Sequence, residues 1–101
     1  MAELSRKELI MALVPSGTNP RLAGVDLSAL DITRLNIEGA NLRGAKMQVV
    51  NARETILRNT NMTGVDCSAA QMQFADFNNS TLLGVNFTGT DLTGARLAGA
   101  N

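Results

Sequence analysis

Residues 82–101 read in fives as LLGVN, FTGTD, LTGAR and LAGAN. Each unit places a large apolar residue first, a small one fourth and a polar or terminal one fifth. Working back toward the N-terminus, the same period runs without a slip to Leu22. Its centres are Leu22, Leu27, Ile32, Ile37, Leu42, Met47, Ala52, Leu57, Met62, Cys67, Met72, Phe77, Leu82, Phe87, Leu92 and Leu97. Only Ala52 is small. A period of five fits neither the 3.6 of a helix nor the alternation of a long strand. It fits a coil of short extended pieces that turns a corner every five residues and points each centre, with the residue two before it, inward.

Glycine marks the corner. Gly24, Gly39, Gly44, Gly64, Gly84, Gly89, Gly94 and Gly99 all lie two places after a centre, and Asn59 and Asn79 take the same place. A type II turn needs a positive φ at its third residue, which glycine gives freely and asparagine tolerates. A weaker period of twenty relates Leu22-Ala23-Gly24-Val25-Asp26, Leu42-Arg43-Gly44-Ala45-Lys46, Met62-Thr63-Gly64-Val65-Asp66 and Leu82-Leu83-Gly84-Val85-Asn86. Four units therefore close one coil. About four coils at strand spacing predict a rod roughly 19 Å long. The interior ladders would be Leu22/Leu42/Met62/Leu82, Leu27/Met47/Cys67/Phe87, Ile32/Ala52/Met72/Leu92 and Ile37/Leu57/Phe77/Leu97.

The units Ala40-Asn41-Leu42-Arg43-Gly44, Ala75-Asp76-Phe77-Asn78-Asn79 and Thr90-Asp91-Leu92-Thr93-Gly94 resemble the A-(D/N)-(L/F)-X-X motif of pentapeptide repeat proteins. The resemblance implies an all-β solenoid, a right-handed quadrilateral β-helix, over residues 21–101. Val50-Asn51-Ala52-Arg53-Glu54 and Thr55-Ile56-Leu57-Arg58-Asn59 depart from the motif and leave room for a local bulge.

Residues 1–20 lack the period and read as a helix and linker acting as a cap. Ser5 and Glu8 form a capping box, with Leu4 and Leu9 as a hydrophobic staple. A short capping α-helix from about Arg6 to Leu13 follows, with Leu9, Ile10 and Leu13 as its apolar stripe, and stops at Val14-Pro15. Ser16 to Pro20 then form a turn-rich linker. Leu30 and Leu35, large residues two before a centre, suggest that the first coil opens onto this helix. At the other end Phe87, Leu92 and Leu97 lie under an open edge, the expected contact of a homodimer formed through the C-terminal coil or of a longer parent chain.

Composition narrows the function. Nine basic and nine acidic residues cancel, there is no histidine, and Cys67 is the lone cysteine. Histidine is the commonest general base and metal ligand, so its absence weighs against catalysis, cofactors and metal. Cys67 cannot make an internal disulfide, which fits a cytoplasmic protein. No apolar run approaches a membrane span. Asp26, Asp31, Asp66, Asp76 and Asp91 fall at the motif's polar place, where solvation explains them. Arg43, Lys46, Arg53 and Arg58 are spread over four faces as a belt without exposed aromatics, so no direct nucleic-acid binding is expected.

Four apolar residues fall at outward places: Val49, Ile56, Phe74 and Leu83. Ile56 and Phe74 flank one corner, with Arg34 and Glu54 in the outer column of Phe74. This corner is the expected contact for a protein partner. The leading expectation is a non-catalytic structural or protein–protein interaction module. The alternative, implied by the resemblance, is a topoisomerase-binding DNA mimic, which zero formal charge and the mixed column Asp26/Lys46/Asp66/Asn86 disfavour.

Overall fold

The computed structural model describes residues 5–13 and 20–101. From Arg21 onward the chain is a stack of circuits, and twelve isolated parallel bridges each join residues twenty apart, from Arg21–Asn41 to Asp76–Arg96. No bridge extends into a longer strand, because a corner interrupts every fifth residue. All four ladders are therefore in the expected register.

The hydrogen bonds repeat with the units. Up to the last circuit each centre N–H donates to the circuit above, as from Leu22 to Asn41 O (2.8 Å), and so does the N–H two places later, as from Gly24 to Arg43 O (2.9 Å). The residue one before a centre donates back, as from Lys46 to Val25 O (3.0 Å). Each corner but one closes on itself through a bond such as Ala45 N–H to Leu42 O (2.8 Å); at the Leu57 corner Thr60 N–H donates instead to Ser80 Oγ (3.4 Å). A positive φ at the third turn residue makes these type II turns. It occurs at Gly44 (φ 70°) and equally at Val49 (φ 59°) and Phe74 (φ 60°).

The two irregular units form no bulge. Asn51 bridges Gln71 and Ile56 bridges Asp76 in the common register, and Ala52 and Leu57 are fully buried. The circuits above and below fix the path through backbone hydrogen bonds such as Asn51 N–H to Leu30 O (3.0 Å) and Ala52 N–H to Gln71 O (2.7 Å), so two weak motifs cannot break it. In the same way Ala52 is tolerated beside the flexible Met72 in its ladder.

The core runs from Leu9 to Phe77, and Phe77 is its largest fully buried side chain. Thr55, Thr60 and Ser80 are buried as well. They are satisfied internally, Thr55 Oγ1 donating to Ile32 O and Thr60 Oγ1 to Leu57 O, both at 2.8 Å. Burial fades in the last circuit, where Leu82, Phe87 and Leu92 are half-buried and Leu97 is 46% exposed. The Cα envelope measures 29 × 26 × 22 Å, so the molecule is a squat block rather than the expected rod.

Helix α1 spans Arg6–Leu13. Its capping box is complete: Ser5 N–H donates to Glu8 Oε1 (3.0 Å) and Glu8 N–H to Ser5 Oγ (3.1 Å). Leu9 is fully buried in the core cluster with Leu22, Leu27 and Leu30, and Leu35 packs against that cluster. Ile10 is not part of a buried stripe, because the next residue along a helix turns about 100° away; it is 37% exposed. Leu4, Val14-Pro15, the linker up to Asn19 and the side chain of Leu13 lie outside the described residues.

Candidate interaction surface

Phe74 sits at the third position of the turn closed by Ala75 N–H to Met72 O (3.2 Å). That place points outward, and Phe74 is 61% exposed. Its ring lies over Gly94 of the next circuit, where an added Cβ would come within 2.5 Å of Cδ1. Gly94 is therefore the floor on which the ring rests. Below in the same column Arg34 Nε donates to Glu54 Oε2 at 2.7 Å. The pair is well exposed and adds little stability, but it holds a charged couple beside the ring.

Ile56 departs from expectation. It is half-buried, with Asn36 and Asp76 bridged to it on either side. Asp76 in turn pairs with Arg58. The exposed apolar residues among the four are Val49, Phe74 and Leu83, each on a different column. Of the end-face residues, Phe87 packs edge-on against Phe77 with ring centroids 6.2 Å apart, whereas Leu97 is open to solvent.

The carboxylates of the polar place do more than solvate the surface. Each receives the N–H two residues on: Asp26 from Ser28 (2.9 Å), Asp31 from Thr33 (3.0 Å), Asp66 from Ser68 (2.9 Å), Asp76 from Asn78 (3.0 Å) and Asp91 from Thr93 (3.0 Å). Asn36, Asn41, Asn51, Asn61 and Asn86 do the same. The N–H after a centre takes no part in the bonds between circuits, and this side-chain acceptor satisfies it. Asp or Asn before the centre thus has a structural role in the ten units that carry it, while Arg21, Lys46, Ile56, Gln71, Thr81 and Arg96 take the same place without it.

The same bonds depress acidity. Hydrogen bonds from Ser28, Thr33 and Thr93 side chains, and from the Ser68 backbone, hold Asp26, Asp31, Asp91 and Asp66 below the usual carboxylate range. Burial pushes Asp76 up, but Asn78 and Arg58 outweigh it and leave it lowered. A folded pKa below the unfolded one gives stability that is present above the unfolded value and lost as pH falls through the folded value. The melting temperature is therefore expected to fall steadily below about pH 4. Asp66→Asn/Asp91→Asn keeps both acceptors and should flatten that acid limb; an unchanged limb in thermal melts would place the sensitivity elsewhere.

Cys67 is fully buried, and burial followed by the nearby Asp66 charge pushes its thiol up to about 12. Such a thiol is a packing group, not a nucleophile. Among the described residues no three His, Cys, Asp or Glu gather as a metal site, and no helix is long and apolar enough to cross a membrane.

A family model for pentapeptide repeats matches residues 18–48 and 70–101 with eight copies, which is more than half of the chain. The unmatched span contains the two irregular units, through which the bridges nevertheless continue. Among solved structures the chain is similar to HetL, a pentapeptide repeat protein involved in heterocyst differentiation regulation from the cyanobacterium Nostoc sp. strain PCC 7120. Identity is 31%, the TM-score is 0.76, and the match covers 79% of this chain and 37% of that one. A pentapeptide repeat protein from the Arabidopsis thaliana thylakoid lumen is 23% identical with a TM-score of 0.59, covering 86% and 67%. Another from Nostoc PCC 7120 is 19% identical with a TM-score of 0.51, covering 87% and 75%. The last two show likeness of fold alone. This chain spans little more than a third of HetL, and no curated protein matches it.

Proposed function

Since the chain belongs to the pentapeptide repeat family, whose members form right-handed quadrilateral β-helices, we propose that it is a non-catalytic scaffold for protein–protein contact. It has four coils over residues 21–101, with residues 1–20 as the N-terminal cap, and it works in the cytoplasm. The observation that carries this reading is the Phe74 corner. A large ring is held outward on a left-handed backbone, laid over Gly94 and set beside the Arg34–Glu54 pair. An exposed aromatic on a rigid support loses little entropy when it docks. The involvement of HetL in regulation rather than in a named reaction supports the same class.

The partner is a protein that offers an apolar pocket for Phe74 with polar groups for Arg34 and Glu54. Half-buried Ile56 backs this corner. The end face of Phe87, Leu92 and Leu97 is a second contact surface, with a second copy of the chain as its occupant. The DNA-mimic alternative needs an anionic face, yet Lys46 stands between Asp26 and Asp66 in the column where carboxylates gather.

Phe74→Ser is expected to leave the melting temperature within a few degrees and to reduce capture of the partner from source cells by at least about tenfold, the loss of one aromatic anchor. Adding Ile56→Ser should deepen the loss only modestly. Capture that is unchanged by both substitutions would remove this corner from consideration.

A further inference from the structure

The period starts at Leu22, after a segment that lacks it, so the lower edge of the first circuit lies inside the chain. Within the stack a unit offers two carbonyls downward, one on either side of its centre, and the circuit below fills them with two N–H groups. Asn51 O and Arg53 O accept in this way from Ile32 N–H (2.8 Å) and Arg34 N–H (3.0 Å). In the first circuit the same two places of the ladder, Asp31 O and Thr33 O, are taken by one side chain. Arg6 Nη1 donates to Asp31 O and Arg6 Nη2 to Thr33 O, both at 2.9 Å. Nη1 also lies 3.4 Å from the Asp31 carboxylate.

Leu9 follows Arg6 by three residues, which puts both on one face of α1. It is fully buried and joins the core cluster with Leu22, Leu27 and Leu30. The first circuit therefore receives two things from α1, a planar fork and one leucine. The fork suits a pair of carbonyls because its donors are fixed in one plane, which the point charge of a lysine cannot reproduce. Little else holds the helix. Among its described side chains Leu9 alone is buried, whereas Lys7, Glu8, Ile10 and Met11 are exposed. Eight residues are too few to stay helical alone in water, so α1 persists through its docking and behaves as a short tethered ligand.

We propose that this edge is a docking site for a helical segment of a partner protein that carries an arginine and a leucine three residues apart, and that α1 fills the site as an autoinhibitory latch. The site itself sets the chemistry of the occupant. Asp31 O, Thr33 O and the Asp31 carboxylate are all acceptors, and they select a forked cation through charge-assisted bonds. The core opening filled by Leu9 selects one apolar side chain. An extended strand fits worse, because its N–H groups could satisfy the two carbonyls but would leave the Asp31 carboxylate without a cation. The segment and α1 need the same carbonyls and the same opening, so binding of one displaces the other. The site lies two circuits below Phe74 and shares no residue with that corner, so it goes beyond the contact surface already described.

The probe is a fluorescent synthetic peptide of residues 5–13, SRKELIMAL, followed by anisotropy against the full chain, with circular dichroism to confirm that the β-helix is intact. Arg6→Ala/Leu9→Asp opens the site and should bind the peptide with a dissociation constant below about 1 mM, the effective concentration at which a short tether presents α1. The unaltered protein should bind at least about tenfold more weakly, because its site is open only a small fraction of the time. Arg6→Ala alone leaves Leu9 in place and should fall between the two; it decides the matter if the double variant does not fold. Asp31→Asn in the opened protein keeps the turn acceptor without the charge, and Arg6→Lys in the peptide keeps the charge without the fork. Each should weaken binding by at least about threefold, whereas Phe74→Ser should leave it unchanged. A folded, opened protein that binds the peptide no better than the unaltered one overturns the latch. Binding indifferent to both Asp31→Asn and Arg6→Lys overturns the fork, and binding lost with Phe74→Ser puts the peptide at the corner instead. A concentration-dependent dimer of the unaltered protein that Arg6→Ala/Leu9→Asp dissolves in sedimentation velocity would make α1 of a second copy the occupant and overturn the partner protein.

Discussion

Phe77→Ala is expected to destabilise the fold by about 3–5 kcal/mol, the range for emptying an aromatic site in a packed core. Phe77 is the largest fully buried side chain and packs edge-on against Phe87. Its ladder has Leu57 below it and Leu97 above. The bridges on either side fix the spacing of the circuits, so the backbone cannot collapse into the void. A chain of this size has about 5–15 kcal/mol in hand, and the melting point should drop by more than about 10 °C. Leu97→Ala in the same ladder is the internal comparison. Leu97 is 46% exposed, and its truncation should cost less than about 1 kcal/mol. Urea unfolding of the two variants decides the matter. Equal losses would mean that the last circuit is covered in solution.

Much of this core could be read from the sequence because it is one-dimensional. Once the centres are spaced by five and the near-copies by twenty, the ladder partners of Phe77 follow without any knowledge of strand pairing. The polar place was visible too, but its reason was not. Solvation explains why Asp66 or Asn86 points outward, whereas the bond each makes to the N–H of Ser68 or Thr88 is a property of the turn that composition does not carry. The irregular units misled in the other direction, since weak motifs at Val50–Asn59 suggested a bulge that the neighbouring circuits do not permit. Ile56 was read as outward from the period alone, whereas its bridges to Asn36 and Asp76 leave it half-buried. At the candidate corner, the outward place of Phe74 and its column with Arg34 and Glu54 followed from the period, while the ring's seat on Gly94 depends on a rotamer. Arg6 was hidden altogether. It lies outside the period, and its partners are main-chain carbonyls, which have no sequence signature.

Replacing Ala29, Val49 and Ala69 together by glycine is expected to raise stability by about 2–3 kcal/mol, an unusual direction for a triple substitution toward glycine. All sixteen corners have a positive φ at the third turn residue, yet only eight are glycine. Two more are Asn59 and Asn79, which tolerate that region; the other six are Ala29, Arg34, Val49, Glu54, Ala69 and Phe74. A left-handed backbone costs a residue with a Cβ about 1–2 kcal/mol. Glycine removes that strain and gives back roughly 0.5–1 kcal/mol in chain entropy. The net gain is largest at Val49, whose branched Cβ makes its φ of 59° the most strained and whose 61% exposure leaves little burial to lose. The reverse change isolates the same quantity. An added Cβ at Gly44 meets nothing within 4 Å, so Gly44→Ala should lose about 0.5–1 kcal/mol, the left-handed strain of about 1–2 kcal/mol less the roughly 0.5–1 kcal/mol that alanine recovers in chain entropy. A triple variant that melts at or below the unaltered protein would show that the stacked circuits relieve the strain. The remaining three strained residues, Arg34, Glu54 and Phe74, share one column. The column alone does not mark a contact, since Ala29, Val49 and Ala69 share one too; what sets this column apart is the exposed ring of Phe74, so Phe74→Gly should melt higher while losing the partner.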